Sequence, residues 1–437
     1  MIHFIGNTDL QEDYSAFKVS TIDECIEYFT QQPSIAVDTE TLGLDPHTDK
    51  IISLQLGNKE RQYVIDCRSH DILQFKTLLQ SKKLLLQNAK FDYKVLKHVG
   101  IVIEDIWDTM LAECVLYCGY DSWGYGLAKL VHRYTGLEMD KTVRAEFMGI
   151  TDQPFTPIQI QYAGLDVAYL HDIATQQHEK LIEYDLMYAF DLECQVVKAL
   201  GDIEYNGMFL DREAWSANTT IFQKTLDTLL LKLDNIVEKD GVLEYPISSF
   251  GVGLFGETIR KYKINYNSHK QVKELIHKLS IDVPNTNAKT LVKVADKHEF
   301  ISTLMRYKEA AKVISTYGDS FLNNINTTTG RIHSDFWEVL NTYRVSSSSP
   351  NLQNIPAVNT FRNCFKPRPG YKWGSIDYQS QELRIMADVS KEDGFIDILN
   401  KDEDLHCYVG SLMFKKPITK QDVELRTQAK TINFGKP

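Results

Sequence analysis

Short apolar runs that alternate with amphipathic stretches set the strongest limit on the fold of the first part of this chain. Helical periodicity occurs in "FDYKVLKHVG" and "WDTMLAECVLYC", where apolar residues recur every three or four positions. Four apolar runs bounded by polar residues predict strands instead: "SIAVDTE", "KIISLQLGN", "QYVIDC" and "KLLLQNA". Strands and helices in this order predict an α/β domain with a mixed sheet.

A helical part follows this α/β domain. The chain has 437 residues, more than one hydrophobic core usually accommodates, so two or more domains are expected. From about residue 158 to 235 the pattern is helical, and "DLMYAFDLECQVVKALGDIEYNGMFLD" predicts a helix that ends at Gly207 before a short strand. We place the domain boundary near residue 185. The serine run in "SSSSPNLQNIP", residues 346–356, leads into an amide-rich loop, which indicates a contact segment rather than a linker.

The net charge of −11 argues against a nucleic-acid partner if it is taken alone. Distribution matters more, because nucleases and polymerases concentrate carboxylates at metal sites and cations along a groove. Segment 260–278 carries six Lys and Arg residues against the single acid Glu274, with Tyr262 and Tyr266 between them. This composition fits a contact with a phosphate backbone and a solvated helix face equally well.

Signals for export and for disulfides are missing from the sequence. No run of about 18 apolar residues occurs, and "MIHFIGNTDLQEDY" has neither a basic region nor an apolar stretch. The sequence therefore predicts a soluble, unexported protein of the cytoplasm. The seven cysteines are scattered without C-x-x-C pairs, so reduced, packed thiols are favoured over a metal site.

Four separated carboxylates carry the chemistry of the first part: Asp38, Glu40, Asp92 and Asp166. Asp38 and Glu40 are two residues apart on a predicted strand and share a face, and Tyr162 precedes Asp166 by one helical turn. Converging acids repel one another unless cations neutralise them, and hard oxygen ligands favour Mg²⁺ or Mn²⁺. Two such ions about 4 Å apart activate water for phosphodiester hydrolysis, while a tyrosine hydroxyl orients the attacking water.

Each of these motifs alone has a simpler interpretation as a surface acid pair or a packed tyrosine. Together, "DTE" (Asp38, Glu40), "NAKFD" (Asn88, Asp92) and "YAGLD" (Tyr162, Asp166) resemble the three motifs of the DEDDy 3′→5′ exonucleases. The resemblance implies a ribonuclease H-like domain over residues 1–185, with two metal ions held by the four acids and with Tyr162 as a catalytic residue. "WDTMLAECVL" is similar to a segment of the same domains, and we interpret its Asp108 as a fold element rather than a ligand.

The end of the sequence, "LRTQAKTINFGKP", places two cations and one aromatic ring on one helical stripe. Arg426, Lys430 and Phe434 recur every four residues. Such a stripe suits a triphosphate and a base, because a guanidinium bridges phosphate oxygens in a bidentate way. A solvated helix face is the alternative for this segment taken alone.

Residues 186–437 resemble a part of the family A DNA polymerases, the bacterial DNA polymerase I group. The segments "LMRYKEAAKVISTYGDSFLNNINTTTGRIHSDF" and "TYRVSSSSPNLQNIP" are similar to the thumb base and the primer-binding region, and "GSIDYQSQELRIMADVS" is similar to motif A. "EDLHCYVGSLMF" and "LRTQAKTINFG" resemble the fingers, the latter motif B. The resemblance implies an incomplete α+β polymerase domain, with a thumb at about 200–330, a partial palm at about 331–395 and the start of the fingers at about 396–437.

The polymerase resemblance also implies roles for single residues. Asp377 and Tyr378 would bind the catalytic metals, and Glu382 would be the steric gate against a ribose 2′-OH. The nucleotide would be held by His406, Arg426, Lys430 and Phe434. Arg344, Asn351 and Gln353 would reach the minor-groove acceptors that every Watson–Crick pair presents alike. Tyr343 in place of the family's glycine and Gln381 in place of an apolar residue are departures near the nucleotide pocket.

The sequence stops inside the resemblance to motif B, after an exonuclease-first layout similar to that of phage replicative enzymes. The family's remaining fingers and its later histidine, aspartate and glutamate do not occur in it. We therefore expect one part of a two-piece enzyme, with dNTP as a substrate only when a complementary C-terminal chain completes the site. A split gene, a split intein and a truncation are all compatible with this pattern. The alternative function is a primer-template binding and assembly subunit with little activity of its own.

Overall fold

The computed structural model describes residues 1–9, 12–119, 124–140, 143, 147, 150, 152–241, 264–356 and 359–435. The chain folds into two compact units, Met1–Pro369 and Gly370–Pro437. The boundary expected near residue 185 falls inside the first unit and stays a prediction. A search of the described helices finds none with the length and apolar character that crossing a membrane requires.

A seven-stranded mixed sheet forms the centre of the first part of the chain, as the sequence predicts. Its strands run in the order β2-β1-β5-β4-β3-β6-β7, and β4 is antiparallel to both of its neighbours. The other neighbouring pairs are parallel. The strands are β1 (Ile2–Ile5), β2 (Lys18–Val19), β3 (Ser34–Thr41), β4 (Ile51–Gly57), β5 (Gln62–Asp66), β6 (Lys83–Leu86) and β7 (Ile106–Asp108).

Helices pack on this sheet and bury its apolar residues, which include Val37, Leu54 and Leu86. One of them, α6, begins at Pro157 behind a capping box in which Thr156 and Gln159 satisfy each other's backbone N–H groups. The helices of this part are α1 (Ile22–Thr30), α2 (Lys76–Ser81), α3 (Ala89–His98), α4 (Thr109–Tyr117), α5 (Leu127–Thr135), α6 (Pro157–Ala168), α7 (Leu170–Glu183) and α8 (Met187–Asn206). The predicted helix up to Gly207 is α8, and the strand expected after it is β8 (Met208–Leu210).

Two long helices dominate the next part of the first unit. Helix α9 (Arg212–Lys239) packs along α12 (Glu299–Tyr317), and α10 (His269–Lys278) and α11 (Ala288–Val292) complete a separate apolar core. Part of the basic segment, residues 260–263, lies outside the described residues. In α10 the side chains of Val272, Leu275 and Ile276 are buried, and Tyr266 is buried with its hydroxyl donating to Asp234 at 2.7 Å. This arrangement favours the solvated helix face over an aromatic contact with DNA.

The serine run is a strand and not a linker. Strand β11 (Ser346–Ser348) pairs with β10 (Asp335–Trp337) in an antiparallel hairpin. A second small sheet joins β8 to β9 (Arg331–Ile332) and β12 (Phe365–Lys366). Trp215 is completely buried against Phe321 and Phe361 beside this sheet, and the short helix α13 (Asn359–Arg362) precedes β12.

The second unit contains four helices among its described residues: α14 (Gln381–Ser390), α15 (Asp393–Asn400), α16 (Leu405–Phe414) and α17 (Val423–Gly435). Its small core includes Leu383, Ala387, Leu399 and Leu405. Residues 371–378, which precede α14, have no regular structure and are exposed. The helix predicted for the end of the sequence is therefore present as α17.

Candidate active site

Three of the four predicted acids come together at the sheet. Alternation along β3 points Asp38 and Glu40 to the same face, and α6 supplies Asp166. One carboxylate oxygen from each of the three residues lies within 4.8 Å of the other two. Three oxygen ligands at this spacing match the preference of Mg²⁺ and Mn²⁺ for carboxylates, so the donor set fits a hard divalent cation.

Asp92, the fourth predicted acid, lies beside this group on α3. Its carboxylate accepts a hydrogen bond of 2.7 Å from the hydroxyl of Thr39, which stands between Asp38 and Glu40 on β3. Burial raises the pKa of Asp92 to about 7, although the Thr39 hydrogen bond lowers it and the charge of Asp108 raises it further. A nearby cation would favour the charged form, so the group is poised to lose its proton when a metal binds.

Asp108 has the structural role that the sequence suggested. Its carboxylate accepts the backbone N–H groups of Asn88 and Ala89 at the start of α3 and those of Met110 and Leu111 at the start of α4. Asn88 takes a left-handed conformation (φ 64°), which asparagine tolerates better than most residues do. Burial raises the pKa of Asp108 to about 6, and the four N–H donors oppose this effect. Asp108 thereby fixes the start of the helix that carries Asp92.

Tyr162 lies on α6 one turn before Asp166 and is 5% exposed. Its ring packs near Phe147, with a centroid distance of 5.9 Å, and Phe147 in turn packs on Phe155 at 5.7 Å. Arg68 lies over the Phe155 ring at 4.1 Å and forms hydrogen bonds to both carboxylate oxygens of Asp66. This chain of contacts links the end of β5 to the helix that carries Tyr162 and Asp166.

Sequence reasoning missed Thr39 and Arg68 as supports of this site. The only local signal for Thr39 is its position between two acids on one strand, where alternation turns it to the opposite face. Arg68 follows Asp66 by two residues, but its second partner, Phe155, is distant in the sequence. Neither contact follows from spacing along the chain.

In the second unit, α16 and α17 bring the predicted nucleotide-binding residues of the fingers together. The rings of His406 and Phe434 lie 5.5 Å apart, and His406 shares a hydrogen bond of 2.9 Å with Asn433. Burial lowers the pKa of His406; Asp404 opposes this effect, and the charges of Arg426 and Lys430 add to it. Arg426, Lys430 and Phe434 therefore form a cationic and aromatic face around His406.

Arg426 already has a carboxylate partner in this unit. Its guanidinium donates to Asp404 Oδ2 from Nε at 3.0 Å and from Nη2 at 2.6 Å. Despite the opposing effect of burial, these hydrogen bonds hold the pKa of Asp404 below its ordinary value. Asp404 also accepts the backbone N–H of Cys407 as the N-cap of α16. Sequence reasoning did not foresee this pair, which occupies the guanidinium that would hold a triphosphate.

The predicted metal-binding residues of the second unit are exposed. Asp377 and Tyr378 lie in the irregular segment before α14, and Tyr378 is 76% exposed. Glu382 is exposed in the first turn of α14. No carboxylate cluster of metal-binding spacing includes Asp377 among the described residues.

Of the three predicted DNA contacts, two also shape the hairpin loop. Asn351 accepts from the Ser347 hydroxyl at 3.3 Å and from the Asn354 N–H at 3.1 Å. Gln353 accepts the Ser347 N–H at 2.9 Å and donates to the Val345 carbonyl at 3.1 Å. Both residues and Arg344 remain exposed, so the loop presents amide and guanidinium groups on an ordered backbone.

Two protein families match the sequence over separate ranges. Residues 17–182 match the 3′-5′ exonuclease family, and residues 256–436 match DNA polymerase family A. Asp38, Glu40, Asp92, Tyr162 and Asp166 fall in the first range. Asp377, Glu382, Arg426, Lys430 and Phe434 fall in the second.

Relatives with similar sequences cover nearly the whole chain. DNA polymerase I of Borreliella burgdorferi is 30% identical in an alignment of 445 positions that covers 95% of this chain and 46% of the relative. DNA polymerase I of Aquifex aeolicus is 27% identical in an alignment of 428 positions that covers 94% of this chain and 69% of the relative. The chain thus spans less than half the length of the first of these relatives.

A solved structure shares the fold. It is the POL domain of Pol1 from M. smegmatis in complex with DNA primer-template and dNTP, and it aligns with a TM-score of 0.74 at 22% identity. The alignment covers 95% of this chain and 70% of that one. The described arrangement of sheet and helices is therefore one that a known polymerase domain also adopts.

Proposed function

Because the chain belongs to DNA polymerase family A and carries a 3′-5′ exonuclease domain, we propose that it shortens DNA from the 3′ end in a reaction that needs Mg²⁺ or Mn²⁺. The observation that carries this proposal is the convergence of Asp38, Glu40 and Asp166, with oxygen atoms within 4.8 Å of one another. Asp92 lies near them, since the charge of Glu40 helps to raise its pKa. Frayed single strands are the preferred substrate, because a scissile phosphate must leave the duplex to reach recessed carboxylates.

Each residue of the site has its own role in hydrolysis. Asp38, Glu40 and Asp166 hold the cations through carboxylate oxygens, and Asp92 adds a fourth negative charge once it is deprotonated. When bound, two divalent ions supply an activated water and stabilise the leaving oxygen of the phosphodiester. The hydroxyl of Tyr162 orients the attacking water, because Tyr162 precedes Asp166 by one turn of the same helix.

The test is degradation of a 5′-labelled and a 3′-labelled oligonucleotide with Mg²⁺ or Mn²⁺. We expect the wild type to shorten the 5′-labelled strand stepwise and to release labelled mononucleotide from the 3′-labelled one. Asp38→Ala should abolish both, because it removes one of the three converging ligands. Glu27→Ala changes an exposed carboxylate on α1 and should leave the rate unchanged. Cleavage that persists undiminished in Asp38→Ala would refute the assignment.

We also propose that the second family match takes part in template-directed DNA synthesis. Arg426 and Lys430 would hold the triphosphate of a dNTP, with Phe434 and His406 beside it and Glu382 against the sugar. Asp377 and Tyr378 would supply metal contacts, while Arg344, Asn351 and Gln353 would hold the primer-template duplex. The clustering of His406, Phe434 and Arg426 on two packed helices supports the nucleotide-binding part of this proposal.

Nucleotidyl transfer by two metals needs carboxylates on both sides of the ion pair, and among the described residues Asp377 belongs to no carboxylate cluster of metal-binding spacing. We therefore propose that primer extension needs a complementary C-terminal polymerase chain with the family's later palm carboxylates. The test is primer extension with four dNTPs and Mg²⁺, in the Asp38→Ala background that protects the product. The proposal is supported if this chain alone does not extend the primer and extension occurs after the complementary chain is added. Elongation without the added chain would refute it.

A second candidate function is that of a primer-template binding and assembly subunit. The exposure of residues 371–378, which include Asp377, favours it for the second unit, because such a segment leaves apolar side chains available to a partner. The oligonucleotide assay separates the two functions. Metal-dependent shortening by this chain alone identifies an enzyme, whereas DNA binding without shortening identifies an assembly subunit.

A further inference from the structure

A buried cluster of four charged side chains holds α3, the helix that carries Asp92. Lys90 lies two residues before Asp92 and is 8% exposed. Its Nζ is 2.8 Å from Glu204 Oε1 and 2.7 Å from Glu338 Oε1, and both glutamates are 3% exposed. Lys94, one turn further along α3, pairs with the second oxygen of Glu204. Two cations and two carboxylates thus balance each other away from solvent.

The cluster joins three elements that are far apart in the sequence. Glu204 belongs to α8, and Glu338 directly follows β10 of the serine hairpin. The backbone of the hairpin also takes part, since the Phe336 N–H donates to Glu204 Oε1 at 2.6 Å and the Phe336 carbonyl accepts from Lys90. Both glutamates lie outside the range that matches the exonuclease family, residues 17–182.

The segment after Glu338 continues this attachment to the exonuclease domain. Val339 is buried in the same apolar core as Leu96 of α3. The Tyr343 hydroxyl donates to the Val115 carbonyl of α4 at 3.4 Å, and the Cys118 thiol donates to the Leu340 carbonyl at 3.4 Å. One short segment therefore packs on both helices whose starts Asp108 fixes.

Stability is a weak reason to bury such a cluster. Removing two charges from water costs several kcal/mol per ion, and apolar side chains of similar volume often stabilise a protein equally well or better. Ion pairs do constrain geometry, because Lys90 of α3 contacts two glutamates that come from two other parts of the chain. Asp92 is on the same first turn of that helix and is itself buried.

We propose that Glu338 is a positioning residue of the exonuclease site: through Lys90 it fixes the rotation of α3 and thereby places Asp92 beside the Asp38, Glu40 and Asp166 cluster. The proposal rests on the proposed function only in taking Asp92 as a metal ligand. If so, Glu338, which lies in the hairpin next to the predicted primer contacts, helps to position a residue of the nuclease site. Groups that orient metal ligands typically change metal affinity or activity by about 10- to 100-fold when they are removed.

The experiment measures Mn²⁺ binding to the full chain, by titration against free Mn²⁺ in electron paramagnetic resonance, together with exonuclease kinetics. Glu338→Gln keeps the shape of the side chain but removes its charge from Lys90. We expect about 10- to 100-fold weaker Mn²⁺ binding and a lower kcat, with little change in the KM for the oligonucleotide. The matched control is Asp335→Asn, an exposed carboxylate on the same hairpin that should bind Mn²⁺ as the wild type does.

A second variant separates positioning from folding. Lys90→Met combined with Glu338→Met removes one charge of each sign and leaves Lys94 paired with Glu204, so it should keep the melting temperature close to that of the wild type. Mn²⁺ binding that stays weak in this folded double variant supports the proposal. It is overturned if the double variant recovers both stability and Mn²⁺ affinity, or if Glu338→Gln binds as tightly as Asp335→Asn. A wild type that binds Mn²⁺ without cleaving DNA would contradict the proposed function instead.

Discussion

At the scale of single residues, His3 links the stability of the first unit to pH. It is 3% exposed on β1, shares a hydrogen bond of 2.8 Å with Ser20, and stacks on Tyr63 at 4.4 Å. Burial, assisted by the charges of Lys18 and Arg61, lowers its pKa from 6.5 to about 4. Between pH 4 and pH 6.5, the unfolded chain therefore binds a proton at His3 that the folded chain does not bind. Stability from neutral His3 is fully present above pH 6.5 and is lost as the pH falls toward 4.

The measurement is thermal unfolding of the wild type and of His3→Asn at several pH values from 7 to 4.5. Each pH unit in this window should weaken the wild type by at most about 1.4 kcal/mol more than the variant, since the variant has no imidazole to protonate. If the stability of the two proteins changes equally with pH, protonation of His3 is not coupled to folding.

Tyr162 is the residue whose replacement separates chemistry from binding. Tyr162→Phe keeps the ring that packs near Phe147 and removes only the hydroxyl. We expect DNA binding to be retained, while the exonuclease rate falls by about 100-fold or more, because water orientation is lost. Fluorescence anisotropy of a labelled oligonucleotide and single-turnover cleavage give the two quantities. An unchanged cleavage rate in Tyr162→Phe would show that another residue orients the attacking water.

The same scale shows what spacing can predict. The D-x-E spacing predicted that Asp38 and Glu40 share a face, and the resemblance to the DEDDy exonucleases predicted that Asp166 joins them. The structure brings these three residues together. Local periodicity fixes which side chains share a face. Local periodicity does not show which charged residue from a distant part of the chain will contact a given side chain. The contacts of Lys90 with Glu204 and Glu338 could therefore not be predicted, and neither could the contact of Arg426 with Asp404.

At the scale of elements, the close packing of α6 against the sheet depends on a glycine. A Cβ at Gly57 of β4 would lie 2.6 Å from Cγ2 of Val167, which adjoins Asp166 on α6. Gly57→Ala should therefore push the helix from the sheet, at a cost of about 1–3 kcal/mol, and displace Asp166. We expect a lower melting temperature and weaker exonuclease activity.

The rescue experiment for this contact adds Val167→Ala to Gly57→Ala. The shorter side chain removes the 2.6 Å contact with Cγ2 and leaves the contacts of 3.0 Å with Cβ and 3.3 Å with the carbonyl oxygen of residue 167. The double variant should therefore regain part of the activity that Gly57→Ala loses. Val167→Ala by itself is the control, since it opens a small cavity without pushing the helix. A double variant no better than Gly57→Ala would show that the close approach does not set the position of Asp166.

Most elements of the α/β part could be predicted because they are long and periodic. The four predicted strands are β3 to β6, and the stretches read as helical hold α3 and α4, with β7 at the start of the second. The strand β1, "IHFI", was missed, because four residues before a polar stretch carry too little pattern to separate a strand from an irregular terminus. The hairpin strand of consecutive serines is a similar case: its pairing with β10 decides its structure, and its composition alone suggests a loop.

At the scale of the whole molecule, the two compact units differ in how much apolar surface they bury. The first unit contains several apolar cores, whereas the second gathers a few residues around Leu383, Leu399 and Leu405. Apolar side chains of the second unit remain in solvent: Ile376 is 97% exposed, and Val389 is 77% exposed. A single core in a unit of this size supplies only about 3–5 kcal/mol of stability.

We therefore expect Gly370–Pro437 to open before Met1–Pro369 does, on heating and in denaturant. Hydrogen exchange followed by mass spectrometry should show rapid exchange in α14 to α17 at temperatures where β3, β4 and α6 stay protected. Limited proteolysis should remove the second unit first. The proposed metal-dependent nuclease activity should stay in the remaining fragment, because Asp38, Glu40, Asp92 and Asp166 all lie in the first unit. Glu338, which we assign to positioning Asp92, also lies on that side of Pro369. Simultaneous loss of protection in both units, or loss of nuclease activity in step with cleavage of the second, would mean that the two share one cooperative transition.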